Sequence, residues 1–259
     1  MKKWIEYDLE LVTETPFRIG GVKPIPGTAE VSSPVVRIGD TVVIQGTSLK
    51  GAFRGNLEAY LIDTYYDKKA RSWNDKWLKP CIPATGKNIS PDEQKLIDKG
   101  LYKENCSYES TGSPDTCICP ACYLLGAMGL IGFVNVPFLK LVKGNVEILQ
   151  FIREDRATKT SAKGKTGGAG AIGKYEAVPE DSVFKGTLAV LEEDTVTGWK
   201  LGSARSLVLT AKDRWLESSR WTKEKVLTDL VEKRLTGIKQ LGGFKSKGFG
   251  NVSIKLTRK

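Results

Sequence analysis

Gly46-Thr47-Ser48-Leu49-Lys50-Gly51-Ala52-Phe53-Arg54-Gly55-Asn56-Leu57-Glu58-Ala59-Tyr60-Leu61 is the stretch that sets the fold class. Leu49, Phe53, Leu57 and Leu61 recur at every fourth residue, the spacing of one helix face turned to a core. Thr47 or Ser48 is placed to cap the helix start. Lys50 and Arg54, one turn apart, share a neighbouring face near that start. Upstream, residues 4–12 alternate loosely, as a half-buried strand does, and residues 35–37 and 41–44 read as a hairpin around Gly39-Asp40.

Downstream, residues 67–113 are polar, charged and punctuated by proline, with a short helix predicted from Pro91 to Gly100. Residues 123–136 read as buried core. Strands are predicted over 146–153, 175–179, 183–191 and 251–256. A helix within 221–241 carries Val226, Leu227, Leu230, Val231, Leu235 and Ile238 at helical spacing. Residues 156–174 hold almost no apolar bulk and read as a loop that a ligand would order. Strand, helix, insertion, strands, helix, strand is the order of an α+β fold, with an antiparallel, ferredoxin-like sheet and helices on one face.

The 259 residues include 40 Lys and Arg against 30 Asp and Glu, a formal charge of +10, and no histidine. The missing histidine excludes Ser-His-Asp triads, Cys-His dyads and His-bearing zinc motifs. The positive excess calls for an anionic partner, nucleic acid first. Basic residues stand beside glycine at 18–23, 159–174 and 239–250, where a phosphate backbone can approach the main chain. No segment is long and apolar enough to span a membrane, and the N-terminus runs straight into strand alternation without a signal-peptide core. A cytoplasmic location, with reduced thiols, is the expectation.

Four of the five cysteines, Cys106, Cys117, Cys119 and Cys122, fall close together in the polar insertion. Cys119-Pro120-Ala121-Cys122 has the knuckle spacing that lets two thiolates converge on one tetrahedral ion. Cys106, Cys117, Cys119 and Cys122 are therefore the expected ligands of a structural zinc, with Cys81 able to displace Cys117 or Cys106. The plain alternative is buried free cysteine, but the segment offers little apolar material to bury it. Four protein ligands leave no open position for catalysis.

Several motifs, in order, resemble a known family. Phe17-Arg18-Ile19-Gly20-Gly21 is followed by Val31-Ser32-Ser33-Pro34-Val35-Val36-Arg37, the Gly46–Arg54 segment, Cys119-Pro120-Ala121-Cys122-Tyr123-Leu124-Leu125-Gly126, and Gly242-Gly243-Phe244-Lys245-Ser246-Lys247-Gly248-Phe249-Gly250. This series resembles the RAMP-superfamily backbone subunits of CRISPR effectors, closest to the type III (Csm and Cmr) subunits. The resemblance implies one RRM-like palm over residues 1–259, interrupted by a zinc-bearing insertion at 64–122 and a mobile thumb hairpin at 153–180. It implies antiviral, RNA-guided interference in a ribonucleoprotein complex. CRISPR RNA would be bound, target RNA would join by duplex formation, and other effector subunits or copies of the chain would stack alongside. Guide phosphates would lie against the helix start and the C-terminal glycine loop. The RNA-binding candidates are Arg18, Gly20, Gly21, Ser48, Lys50, Arg54, Arg156, Gly243, Lys245, Lys247 and Gly248.

Chemistry supports those positions separately. A helix start offers N–H groups and the positive end of its dipole to a phosphate. Arginine adds a fork matched to phosphate. The chain departs from the family at Ser32, where cutting members carry an aspartate, and at Arg18, where the family has a histidine. Glu30 and Asp40 are nearby carboxylates. The expectation is guide binding without target cleavage. The enzymatic alternatives are a metal-dependent target-RNA endoribonuclease and a repeat-RNA processing endoribonuclease; a solitary zinc-knuckle RNA reader is the non-enzymatic one.

Overall fold

The computed structural model of the chain describes residues 1–21, 33–84, 88–106, 117–152, 154–155, 160–161, 172–205, 212–217 and 220–259. Ser32, Glu30, Arg156 and most of the glycine- and lysine-rich stretch of 156–174 lie outside them.

Strand β1 (Lys2–Thr13) alternates as its sequence predicts: Ile5, Tyr7, Leu9, Leu11 and Thr13 point inward, while Glu6 and Asp8 face solvent. After it come β2 (Arg37–Ile38), β3 (Thr41–Ile44) and helix α1 (Gly46–Tyr65). The insertion holds β4 (Tyr66–Asp67), β5 (Ser72–Trp73), α2 (Pro91–Asp98) and α3 (Pro120–Leu125). Then follow β6 (Val134–Asn135), β7 (Leu139–Lys143), β8 (Glu147–Ile152), β9 (Glu154–Asp155), β10 (Thr160–Ser161), β11 (Ile172–Ala177), β12 (Val183–Asp194) and β13 (Trp199–Lys200). Helix α4 spans residues 223–236, its middle (Val226–Glu232) wound as a π-helix, and β14 (Val252–Arg258) ends the chain.

The main sheet is antiparallel, in the order β14-β1-β12-β7-β3-β2, with β6 and β13 also on β12. Tyr7 pairs with Leu188, Leu9 with Gly186 and Leu11 with Phe184, so the inward residues of both strands fall in one layer. Onto that layer α1 sets Leu49, Phe53, Leu57 and Leu61, all fully buried. At about 1.5–3 kcal/mol per buried large side chain, this stripe contributes roughly 6–12 kcal/mol of gross burial energy. Beside it α4 buries Val226, Leu227, Leu230, Val231 and Leu235. The Tyr7 hydroxyl donates to Glu232 at 2.7 Å, tying β1 to α4. The other face of the sheet is polar and ion-paired, as in Lys185–Glu10 and Lys259–Asp8.

Three sequence expectations change. Helix α1 begins two or three residues earlier than a Thr47 or Ser48 cap requires: Gln45 is its N-cap, without a side-chain cap hydrogen bond. Residues 123–136 are only partly core, for Tyr123, Phe133 and Val134 are buried while Met128 and Ile131 are exposed. And the insertion, read as short of apolar material, sets Leu78, Cys81, Ile118, Cys119 and Ala121 into the same core as the sheet. Sequence reading also missed a buried pair. Arg205 donates Nε and Nη2 to Asp213 at 2.8 and 2.9 Å, with its guanidinium over Tyr123 and Trp199.

Candidate functional site

An open cleft of about 720 Å³ separates the start of α1 from the C-terminal glycine loop. One wall is a helix face of small and hydroxyl residues: Thr47, Ser48, Gly51, Gly55 and Asn56. A Cβ placed on Gly51 or Gly55 would meet nothing within 4 Å, so neither glycine is required by packing. The first turn of α1 carries no acidic residue, which leaves the positive end of its dipole unopposed. Opposite it the cleft is lined by Lys239, Gln240, Gly242, Gly243 and Lys245, together with Gly20.

The loop's shape follows from a close approach. The N–H of Gly243 donates to the Arg18 carbonyl at 2.8 Å, and a Cβ on Gly242 (φ +88°) would lie 2.4 Å from that oxygen. Only glycine fits there. Phe244 takes φ +61°, unusual for an aromatic residue, and is held by edge-on rings of Tyr175 and Phe249. That turn sends Lys245 outward to the cleft and leaves Lys247 exposed over the Phe244 ring, 4.9 Å from its centroid.

Of the predicted RNA contacts, Gly20, Ser48, Gly243 and Lys245 thus meet at one cleft, and Lys247 and Gly248 belong to the same loop. Four others are placed differently. Arg18 is buried, its guanidinium against Tyr175 and Phe244 at 5.7 and 5.1 Å, so it braces the loop from below. Gly21 lies against the Val35 carbonyl and serves a turn. Lys50 faces a separate hollow with Trp4 and Ile131. Arg54, one turn on, points into the cysteines. Thr47 and Gly51 belong to the helix start, and Lys239 to the basic stretch, that the sequence singled out, whereas Gly55 and Asn56 were missed; the four-residue spacing of Thr47, Gly51 and Gly55 is the signal that could have found Gly55.

On that far side of α1, the thiols of Cys81, Cys106, Cys119 and Cys122 lie within 4.8 Å of one another, all buried. Cys81 therefore takes the place expected of Cys117. The Cys117 thiol turns toward the carbonyls of Trp77 and Ile118, at 3.8 and 3.4 Å. Cys81 is carried in by a bridge to Lys103, with Lys103 N–H donating to Pro80 O and Ile82 N–H to Lys103 O. Tetrahedral thiolate sites with metal–sulfur bonds of about 2.3 Å put sulfurs about 3.8 Å apart. Cys119–Cys81 at 3.9 Å and Cys81–Cys122 at 3.3 Å are of that size, so the donor set fits one tetrahedral ion such as zinc.

Burial alone would raise the Cys119 thiol, but its contacts with Cys106, Cys122 and Cys81, together with the Lys103 charge, hold it well below the usual thiol value. Glu58 is pushed up to about 7 by burial, against the pull of Arg54. Arg54 Nε and Glu58 Oε1 lie 2.7 Å apart as an ion pair, off the line of a hydrogen bond.

Around the hairpin formed by β8 and β11, Glu176 binds the segment after residue 32. Its carboxylate accepts from Arg37 at 2.8 and 3.1 Å and from the Val35 N–H at 2.9 Å. These bonds lower its pKa, although burial works the other way. Asp40 is exposed in the β2–β3 turn.

No curated protein matches the chain. Among solved structures, 199 chains match. One is a chain of the type III-B Cmr-β complex, determined by cryo-EM bound to cognate target RNA. It is similar to this chain at TM-score 0.50 and 12% identity, over 99% of this chain and 61% of that one. The chain thus spans about three-fifths of that neighbour's length. A sequence model of the RAMP superfamily matches residues 10–253, nearly the whole sequence. The chain belongs to the RAMP superfamily.

Proposed function

We propose that this chain is a guide-RNA-binding subunit of a type III CRISPR effector. The carrying observation is the cleft whose two walls, α1 and the Gly242–Lys245 loop, both offer accessible main chain and are edged by Lys239 and Lys245. Phosphates of a single RNA strand lie along that cleft, close to the main chain at its glycines and bound by the Thr47 and Ser48 hydroxyls and the two lysines, without reading base identity. The hairpin of β8 and β11 acts as the thumb that displaces a guide nucleotide, its base fixed by Glu176 and Arg37. Further subunits, among them copies of this chain, stack along the guide, and target RNA joins by pairing with it. The four-cysteine centre is a structural zinc site. Membership of the RAMP superfamily and likeness to a Cmr chain support the assignment.

The subunit holds guide RNA without cutting the target, because Ser32 supplies neither a metal-binding carboxylate nor a base. Two measurements test this. Lys239→Glu with Lys245→Glu should weaken CRISPR RNA binding by roughly 10- to 100-fold and flatten its salt dependence. Affinity unchanged within twofold would overturn the cleft. Guide-loaded protein with magnesium should leave complementary RNA whole; regular cuts that Glu30→Ala or Asp40→Ala abolish would overturn the non-cleaving reading.

A further inference from the structure

We infer that Arg54 and Lys103 form a cationic outer shell of the four-cysteine centre, so that helix α1 is held to the metal rather than lending Arg54 to RNA. Arg54 Nη2 sits 3.4 Å from Cys81 Sγ and 3.7 Å from Cys122 Sγ, Nη1 sits 3.6 Å from Cys122 Sγ, and Nη2 also donates to the Cys81 carbonyl at 3.0 Å. Lys103 comes from the insertion, near Cys106 rather than Cys81 and Cys122. Its Nζ donates to the Cys117 carbonyl, and Cys106 Sγ lies 3.5 Å from that same oxygen. Among the described residues no carboxylate forms an ion pair with Lys103, and Glu58 is the one acid paired with Arg54.

Charge decides what the thiols hold. Four neutral thiols would leave Lys103 sunk in the protein without a counter-charge, a costly arrangement. Four thiolates around a divalent ion carry a net charge of −2, which the two cations offset. The same arithmetic explains why an arginine occupies a helix face one turn below the cleft: its fork spans two sulfurs and a carbonyl at once. Both are positioning residues. Arg54 touches two ligand sulfurs, while Lys103 reaches the centre through the Cys117 carbonyl beside Cys106.

The test is zinc affinity of the purified full chain, measured by competition with a chromophoric chelator and without RNA. Arg54→Gln and Lys103→Gln should each weaken zinc binding by about 10- to 100-fold, the usual effect of losing an outer-shell partner. Cys117→Ser, outside the four, should stay within twofold. With saturating cobalt, both cation variants should keep the tetrahedral thiolate absorption of the wild type, since the ligands themselves are unchanged. Wild-type affinity in both glutamine variants, loss of the cobalt absorption in either, or no zinc binding by the wild type would overturn the assignment. Should Arg54→Gln fail to fold, Lys103→Gln reads the same effect from the insertion.

Discussion

Thr47, Ser48, Gly51, Gly55 and Asn56 look from one face of α1 onto an open cleft, while Arg54, on another face of the same helix and paired with Glu58, reaches Cys81 and Cys122 of the four-cysteine cluster. The first face is stripped of bulk and charge. The second is charged and closed by neighbours. One helix therefore serves a surface that must remain free for a ligand and a junction that must remain filled. Residues adjacent in sequence, such as Gly51 and Arg54, belong to different parts of the molecule. Separating the two faces by mutation is the way to break this division.

The largest effect is expected on the filled face. Cys119→Ser or Cys81→Ser should cost about 3 kcal/mol or more, because metal binding at such a centre is folding free energy. For a chain of this size that lowers Tm by roughly 6–12 °C. A chelator should mimic these variants in thermal melts, whereas Cys117→Ser should melt close to the wild type. Equal losses for Cys117→Ser and Cys81→Ser would reinstate Cys117 in the ligand set.

Next comes a double dissociation. Lys239→Glu with Lys245→Glu should lower RNA affinity and leave zinc affinity alone, whereas Arg54→Gln should lower zinc affinity first. Filter binding and chelator competition on both proteins decide it. If the lysine pair also released zinc, the two faces would not be independent.

Much of this division was legible before any coordinates, and what was not has a physical reason. The stripe Leu49, Phe53, Leu57, Leu61 had to face a core, since helical periodicity and burial are local properties. The same periodicity put Lys50 and Arg54 on one neighbouring face, whereas Lys50 lines a hollow with Trp4 and Arg54 reaches Cys81 and Cys122. It said nothing of what would cover them, because Cys81 reaches Arg54 from 27 residues away along the chain. The cysteines repeat the lesson. Knuckle spacing found Cys119 and Cys122, but the choice between Cys81 and Cys117 was made by a backbone bridge to Lys103. The helix start and Ser48 were legible, but the continuation of that face to Gly55 and Asn56 was overlooked, because reading for charge favours Lys50 and Arg54 over small residues.

That overlooked face makes the next prediction run against ordinary stability reasoning. Gly51→Ala and Gly55→Ala meet no steric barrier, and each should stabilise the helix by up to about 0.8–1 kcal/mol through propensity alone. The pair should raise Tm by a few degrees. The added methyl groups would hold phosphates off the backbone, so RNA affinity should fall by about tenfold or less while the protein becomes more stable. A double variant that melts higher and binds RNA as before would mean that the cleft wall is merely a helix surface.

The smallest effect is the sharpest against a reading from sequence. Lys50 lies in the α1 turn that borders the cleft, yet its side chain belongs to the hollow lined by Trp4 and Ile131. Any influence on a strand in the cleft must act through solvent, where about 8 Å at physiological salt suffices to screen it. Lys50→Glu should therefore change RNA affinity by no more than about threefold at 0.15 M salt and by more at 0.01 M, where the screening length grows to about 30 Å. Lys245→Glu at the cleft wall should remain costly at both. A loss for Lys50→Glu as large as that for Lys245→Glu at the higher salt would mean that RNA crosses α1 on both sides, and the contrast between its faces would fail.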